Sequence, residues 1–164
     1  MKKISWINTK TRGQKNRREL DQIVLKDTET GLYNTEYFNE LLALEKKRCE
    51  RSEGTVLLML ADLSAFTDVS KRQEVVRSMM DVLSDVTRDT DVKGWHVDGL
   101  VIGIMFTVMT GKEGTLPLEH RHVTKKCLGR LQSHLGAENY SRIQITWQLI
   151  QGGRILEIQK VSKV

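Results

Sequence analysis

Two charged residues near the middle of the chain have side chains that could bind a phosphate or a guanine base. Arg88 ends a predicted helix, and Asp91, three positions later, begins a predicted strand. A guanidinium group can hold a phosphate or the acceptor edge of a guanine in a planar fork, and a carboxylate can accept hydrogen bonds from guanine nitrogens. The same pair can instead close the turn between a helix and a strand, where an exposed Arg–Asp pair contributes little energy. The spacing alone leaves both interpretations open.

Two further carboxylates lie at the ends of predicted strands. Asp62 ends an apolar run, and Asp98 belongs to an Asp-Gly dipeptide between two apolar segments. Carboxylates at neighbouring strand ends can hold divalent cations against a triphosphate. Asp98 is better explained by the turn, because Asp-Gly between apolar segments is a strong two-residue hairpin signal. His120 and His122 point to different faces of a predicted helix and therefore make a poor metal pair.

The elements that must position these residues follow from hydrophobic periodicity. A helix that Asn34 or Thr35 can cap is predicted to run to about Arg51, and a second helix is predicted over Lys71–Arg88. The apolar run Thr55–Ala61 has the length of a strand and does not alternate, as in a central strand covered on both faces. The other predicted elements are a hairpin of Asp91–Val97 and Leu100–Met109, a helix over Leu118–Leu135, and closing strands over Arg142–Ile150 and Arg154–Val161.

The order of these elements predicts the fold class. Helix, strand, helix, hairpin, helix, strand, strand is typical of an α/β sandwich. We therefore expect a central mixed sheet of about five strands flanked by helices. Residues 1–26 are predicted to form a basic N-terminal arm with a short helix over Gln14–Lys26, and residues 27–164 to form one domain.

Composition is that of an ordinary soluble globular protein. The chain has 164 residues, of which 39% are hydrophobic and 29% charged, and no apolar run approaches the length of a membrane span. The first residues lack the apolar core of a secretory signal, which predicts a cytoplasmic protein. Cys49 and Cys127 have no paired spacing, so we expect reduced thiols.

The positive charge is concentrated near the N terminus. The net charge is +5, and Trp6 is the one aromatic residue before Glu19, so a stacking platform for nucleic acid is not supported. Such an arm can contact an acidic membrane surface, although a solvated arm is the simpler interpretation. The basic residues that precede the first acidic residue, Glu19, are Lys2, Lys3, Lys10, Arg12, Lys15, Arg17 and Arg18.

Three motifs in this order resemble the GGDEF family, the diguanylate cyclase domains that join two GTP molecules into cyclic di-GMP. They read DTETGLYN at Asp27–Asn34, MLADLSAF at Met59–Phe66 and RDTDVKGWHVDGLVIGIMF at Arg88–Phe106. The resemblance covers roughly residues 27–150 and implies a nucleotidyl-cyclase-like fold in a bacterial signalling protein. By this resemblance, Asp62 matches a metal-binding carboxylate. Arg88 and Asp91 match the family's Arg-x-x-Asp feedback site, which binds cyclic di-GMP.

The chain departs from the family at its chemical positions. The signature turn reads Val97–Val101, so that Gly99 and Leu100 stand where the family has its Asp-Glu pair. Ser64 replaces a second aspartate. Such a site fails when its ligands and geometry are lost, so we predict no catalytic residue, no metal site, no cofactor and no cyclase activity. The residues at the family's base-recognition positions are Ser70, Lys71, Arg72 and Gln73.

The leading hypothesis is a catalytically inactive GGDEF-like regulatory module that binds cyclic di-GMP through Arg88 and Asp91. Lys71, Arg72 and Arg77 are expected to add positive potential for the anionic dinucleotide. The alternative is a structural module with no nucleotide ligand, which binds a protein partner or a second copy through a sheet edge or the N-terminal helix. An unusual cyclase that uses Asp62 and Asp98 is the third possibility.

Overall fold

Three helices and five strands make up the part of the chain that the computed structural model describes, residues 25–52, 54–110 and 118–161. In chain order they are α1 (Thr35–Arg51), β1 (Gly54–Asp62), α2 (Val69–Val86), β2 (Val92–Val97), β3 (Val101–Thr110), α3 (Leu118–Ser141), β4 (Gln144–Gln151) and β5 (Arg154–Val161). The strands form one sheet in the order β2-β3-β1-β4-β5. The predicted α/β sandwich is confirmed.

The directions of the strands correct one part of that prediction, because the sheet is antiparallel and not mixed. Each of its four strand pairs runs antiparallel. The helical connections still return the chain in the same direction, so β2 runs parallel to β1 and β4 runs parallel to β3. In each case, however, a third strand lies between the two parallel strands and pairs antiparallel with both. The order of the elements in sequence predicts that a helix connects two parallel strands. It does not show that a third strand lies between those two strands in the sheet.

The sheet has a core on each of its two faces. On one face α2 and α3 cover a large cluster that includes Leu57 and Met59 of β1. On the other face α1 covers a smaller cluster that includes Val56 and Leu58 of the same strand. The unbroken apolar run in β1 therefore reflects a central strand buried on both faces, as predicted.

Capping side chains fix where the first two helices begin. The Asn34 carboxamide oxygen accepts a hydrogen bond from the backbone N–H of Tyr37 at 2.8 Å. The Asp68 carboxylate accepts one from the backbone N–H of Lys71 at 2.7 Å, so α2 begins two residues earlier than the apolar pattern indicates. The third helix continues beyond its predicted end, with a break at Gly136, where φ is +74°.

Phe38 holds α1 over the paired glycines of β2 and β3. Gly94 and Gly103 are register partners, and the Phe38 ring lies directly above them. A Cβ at Gly94 would lie 2.6 Å from the Phe38 ring, and one at Gly103 would lie closer still. These two positions therefore need glycine because an aromatic side chain occupies the space above them.

The segment before α1 is attached to the sheet by backbone hydrogen bonds. Tyr33 forms two backbone hydrogen bonds with β2. Its N–H donates to the carbonyl of Lys93 at 3.0 Å, and its carbonyl accepts from the N–H of Trp95 at 2.9 Å. The N–H of Asn34 donates to the carbonyl of Leu25 at 2.7 Å. The predicted arm, and all but the end of its predicted helix, lie outside the described residues. Within the described residues, no helix is both long and apolar enough to cross a bilayer.

Candidate functional site

Arg88 and Asp91 form a hydrogen-bonded turn between α2 and β2. The backbone N–H of Asp91 donates to the carbonyl of Arg88 at 3.0 Å. In the opposite direction, the Asp91 carboxylate accepts from the backbone N–H of Arg88 at 2.7 Å. The Arg88 side chain is exposed, and within the described part of the chain its guanidinium forms no ion pair. The structure thus brings the two predicted residues together, with the Asp91 carboxylate bound to the backbone of Arg88.

The second oxygen of the Asp91 carboxylate fixes this turn to the neighbouring strand. It accepts a hydrogen bond from the backbone N–H of Thr107 at 3.1 Å. The Thr107 hydroxyl donates to the carbonyl of Thr90 at 2.8 Å. Both carboxylate oxygens are therefore engaged in the fold, which gives Asp91 a positioning role and leaves Arg88 as the group that faces solvent. Sequence analysis did not identify Thr107, because only the register of β2 against β3 brings Thr107 to this turn.

Lys93 adds a second cation beside the Arg88–Asp91 turn. Its ammonium group donates to the Thr87 hydroxyl at 2.8 Å. Burial lowers the pKa of Lys93, while the negative charge of Asp91 acts in the opposite direction. A partly desolvated ammonium group bound to Thr87, the residue before Arg88, adds positive charge at this turn, which favours an anionic ligand.

Three further cations, which are expected to add positive potential for the dinucleotide, lie farther along α2 from Arg88. Arg77 precedes Arg88 by about three helical turns, or roughly 16 Å, which exceeds the Debye length of about 8 Å in physiological salt. Lys71 is farther still and pairs with Glu74 at 3.0 Å. That Lys71, Arg72 and Arg77 add positive potential for an anionic dinucleotide stays a prediction, since a ligand can extend beyond the Arg88 guanidinium.

Asp62 lies beside the β2–β3 turn, as the resemblance implied. It is the register partner of Val101, and the N–H of Leu63 donates to the carbonyl of Leu100 at 2.8 Å. The Asp62 carboxylate accepts from the backbone N–H of Ser64 at 2.8 Å, so it stabilises its own loop. The described residues contain no group of three His, Cys, Asp or Glu side chains that could hold a metal ion.

The turn between β2 and β3 is one residue longer than its sequence predicts. Val97 and Val101 are register partners, which leaves Asp98, Gly99 and Leu100 in the loop. The N–H of Leu100 donates to the carbonyl of Val97 at 3.0 Å, and Gly99 has a φ of +62°. Asp98 is exposed at this turn.

A small cleft lies between the N-terminal half of α2, the Asp27–Thr30 segment and the β2–β3 turn. Its volume is about 140 Å³. Arg72 and Gln73, which stand at the family's base-recognition positions, line it together with Trp95. An ion pair between Arg77 and Glu29 also belongs to its wall. The cleft therefore combines an indole ring with an ion pair that joins its two sides.

The guanidinium groups near this cleft are bound to protein groups. Arg72 donates to the carbonyl of Phe66 at 3.2 Å. On the other side of the same loop, Arg142 donates to the carbonyl of Ala65 at 2.7 Å and lies over the Phe66 ring, 4.4 Å from its centroid. Both arginines thus hold the loop that follows Asp62. No sequence motif marks Arg142, which meets this loop only because β4 pairs with β1.

Solved structures with similar folds are GGDEF domains. The coiled coil and GGDEF domain of DgcB from Caulobacter crescentus, in complex with c-di-GMP, matches with a TM-score of 0.60 and 14% identity, over 84% of this chain and 74% of that chain. The GGDEF domain of FimX from Pseudomonas aeruginosa matches with a TM-score of 0.59 and 14% identity, over 78% and 81%. The chain has the GGDEF-domain fold.

A third GGDEF-fold neighbour was solved together with a protein partner. Diguanylate cyclase SiaD from Pseudomonas aeruginosa, in complex with its activator SiaC, matches with a TM-score of 0.54 and 18% identity, over 84% of this chain and 55% of that chain. No family model matches the sequence, and no curated protein matches it as a relative. The GGDEF-domain likeness therefore rests on the backbone and on the motif order.

Proposed function

We propose that this protein is a catalytically inactive GGDEF-like regulatory module that binds cyclic di-GMP at the Arg88–Asp91 turn. The observation that carries the proposal is the exposed Arg88 guanidinium, held on a turn whose backbone Asp91 fixes through both carboxylate oxygens. A fixed turn reduces the entropy lost when the arginine binds a ligand. The complex of the GGDEF-fold protein DgcB with c-di-GMP makes this dinucleotide the first ligand to test. Such a receptor belongs in the cytoplasm.

The chemistry around Asp62 supports the absence of cyclase activity. A two-metal phosphoryl transfer needs carboxylates that converge on the cations. Opposite Asp62 the chain has Val101, and the intervening turn presents Gly99 and Leu100 where the family has its acidic pair. The loop after Asp62 is held by Arg72 and Arg142, so those cations are not directed towards a triphosphate.

A protein-interaction module without a nucleotide ligand is the second candidate. The observation that favours it is the internal use of Asp91, since a helix-to-strand turn needs these same hydrogen bonds whether or not a ligand binds. SiaD, which was solved in complex with its activator SiaC, provides a structural precedent for a protein partner.

Isothermal titration calorimetry with cyclic di-GMP separates the two candidates. We expect saturable binding that Arg88→Ala weakens roughly 10-fold to 100-fold, because charge-assisted hydrogen bonds contribute about 1.5–3 kcal/mol. Arg121→Ala is the matched control, since Arg121 is an exposed arginine on α3. Absence of heat, or equal affinity of the Arg88→Ala variant, would refute the receptor and leave the interaction module.

Incubation with GTP and magnesium or manganese tests the predicted inactivity. We expect no cyclic di-GMP, because the metal-binding carboxylate set is incomplete. Product that disappears in the Asp62→Ala variant would show that Asp62 still takes part in catalysis and would overturn this part of the proposal.

A further inference from the structure

The two edges of the sheet differ in how their backbone groups are used. At the β2 edge, Tyr33 adds a short parallel bridge and bonds to both Lys93 and Trp95. At the other edge, β5 pairs with β4 along one side, and no described residue pairs with its other side. Within the described part of the chain, this eight-residue strand therefore has one open side, whose N–H and C=O groups can bind an extended chain.

Apolar side chains are exposed on both faces of this open strand. Ile155 is 43% exposed and Leu156 is 49% exposed, and they are neighbours among the few large hydrophobic residues that the described surface exposes. Ile155 is the register partner of Ile150 on the α1 face, whereas Leu156 is the partner of Leu149 on the α2 and α3 face. A strand added beside β5 would therefore meet an apolar side chain on each face.

The exposed charged residues near the start of the open edge include more basic than acidic side chains. The end of α1 lies beside the β4–β5 turn, where a Cβ on Gly153 would collide with the side chain of Glu50. Lys47 and Arg51 near the end of α1, and Arg154 at the start of β5, are exposed. Glu50 and Glu157 are exposed acids in the same region, so the basic side chains outnumber the acidic ones.

This charge decides among the possible occupants of the edge. A second copy that paired antiparallel along β5 would carry its basic groups to the opposite end of the edge, so it would offer no complementary charge to Arg154 or to the end of α1. Residues 1–24 of the chain contain seven basic and two acidic side chains, so they carry the same sign. An acidic segment from another protein is the occupant whose charge is complementary to this surface.

We propose that β5 binds an extended acidic segment of a partner protein by strand addition. Backbone hydrogen bonds to the open side of β5 provide affinity, and Ile155 and Leu156, which lie on opposite faces, contact apolar residues on the two faces of that segment. Lys47, Arg51 and Arg154 select its acidic residues. The inference needs no nucleotide, and failure of the Arg88–Asp91 receptor in calorimetry would leave it intact.

The test uses a fluorescent peptide of about ten residues, a typical strand length, with two adjacent valines at its centre, so that each face carries one, and glutamate at the other positions. We expect saturable binding in an anisotropy titration, weakened by raised salt because the charges are exposed. The same peptide with lysine in place of glutamate should bind at least about tenfold more weakly, equivalent to about 1.4 kcal/mol. Hydrogen exchange should show new protection of the β5 amides.

Two variants with a matched control locate the peptide on β5. The double variant Ile155→Glu/Leu156→Glu places acidic groups on the edge and should weaken binding at least about tenfold. Val69→Glu changes an apolar residue at the start of α2 that is more exposed than either, and it should leave affinity unchanged. Arg154→Glu removes one cation without touching the apolar pair, so it tests the charge contribution even if the double variant unfolds.

Three results would overturn the proposal. Equal binding of the acidic and basic peptides, or no binding of either, would remove the argument from charge. Protection from exchange away from β5 would place the peptide elsewhere. Self-association in sedimentation, with the β5 amides protected in the absence of peptide, would identify a second copy as the occupant.

Discussion

The cleft beside α2 and the Arg88–Asp91 turn contain the same kinds of charged groups but use them in opposite ways. In the cleft and its adjoining loop, Arg72 and Arg142 bind backbone carbonyls and Arg77 pairs with Glu29. At the turn, the carboxylate of Asp91 is bound and the guanidinium of Arg88 is exposed. A cation can recruit an external anion only when the fold has not already supplied its partner.

The largest expected effect on stability distinguishes the two carboxylates. Asp91→Ala removes both acceptors from backbone N–H groups, and we expect a loss of about 2–3 kcal/mol in the free energy of unfolding. Asp62→Ala removes one local hydrogen bond and should cost about 0.5–1.5 kcal/mol. Urea denaturation of the two variants measures the difference. Equal losses would contradict the view that Asp91 joins two elements while Asp62 serves only its own loop.

The next effect compares two arginines. Arg142→Met removes a hydrogen bond to Ala65 and the contact with the Phe66 ring, and should cost about 1–2 kcal/mol. Arg88→Met should change the free energy of unfolding by less than about 0.5 kcal/mol, because its side chain is exposed. Thermal melts of both variants test this contrast. A larger loss for Arg88→Met would show that its guanidinium contributes to folding and is not free for a ligand.

A pH-dependent effect is expected from His96, which lies on β2 next to the cleft residue Trp95. Its Nδ1 atom lies 2.7 Å from the Asn39 carboxamide oxygen, and burial lowers the pKa of His96 below its ordinary value of 6.5. The unfolded chain then binds more protons, so this contribution to stability is present above pH 6.5 and decreases as pH falls below it.

The variant His96→Gln should therefore lose less stability than the unmodified protein as the pH falls below 6.5, because burial lowers the pKa of His96. Urea denaturation at several pH values in this range provides the measurement. His122→Gln is the control, because His122 is exposed on α3. If the free energy of unfolding changed equally with pH in His96→Gln and in the unmodified protein, partial burial of His96 would not contribute to the pH dependence of stability.

The smallest effect concerns the ion pair across the cleft. A double-mutant cycle of Arg77→Gln and Glu29→Gln should give a coupling energy of about 0.2–1 kcal/mol that decreases with salt, because both side chains are about half exposed. A coupling near zero would mean that the pair does not close the cleft in solution. A value well above this range would mean that the pair contributes to the fold itself.

Local patterns predicted most of the elements because their causes lie close together in sequence. Asn34 was available to cap α1, and the apolar run of β1 indicated burial on both faces. The final strand was predicted over Arg154–Val161, and the structure has the same bounds. The mixed sheet was a wrong expectation, because strand direction depends on which strands become neighbours. Similarly, the length of the β2–β3 turn depends on the register of its strands.

The sequence by itself determined the element order, the likeness to the GGDEF fold and the absence of a complete acidic signature, since each depends on residue type and spacing. Tertiary structure alone decided which polar groups are available. Pairing of β3 with β2 brought Thr107 to Asp91, and pairing of β4 with β1 brought Arg142 to the loop after Asp62. Asp91 and Thr107 are 16 residues apart in the sequence, and Ala65 and Arg142 are 77 residues apart. Hydrogen bonds over such separations depend on strand register, which no local pattern specifies.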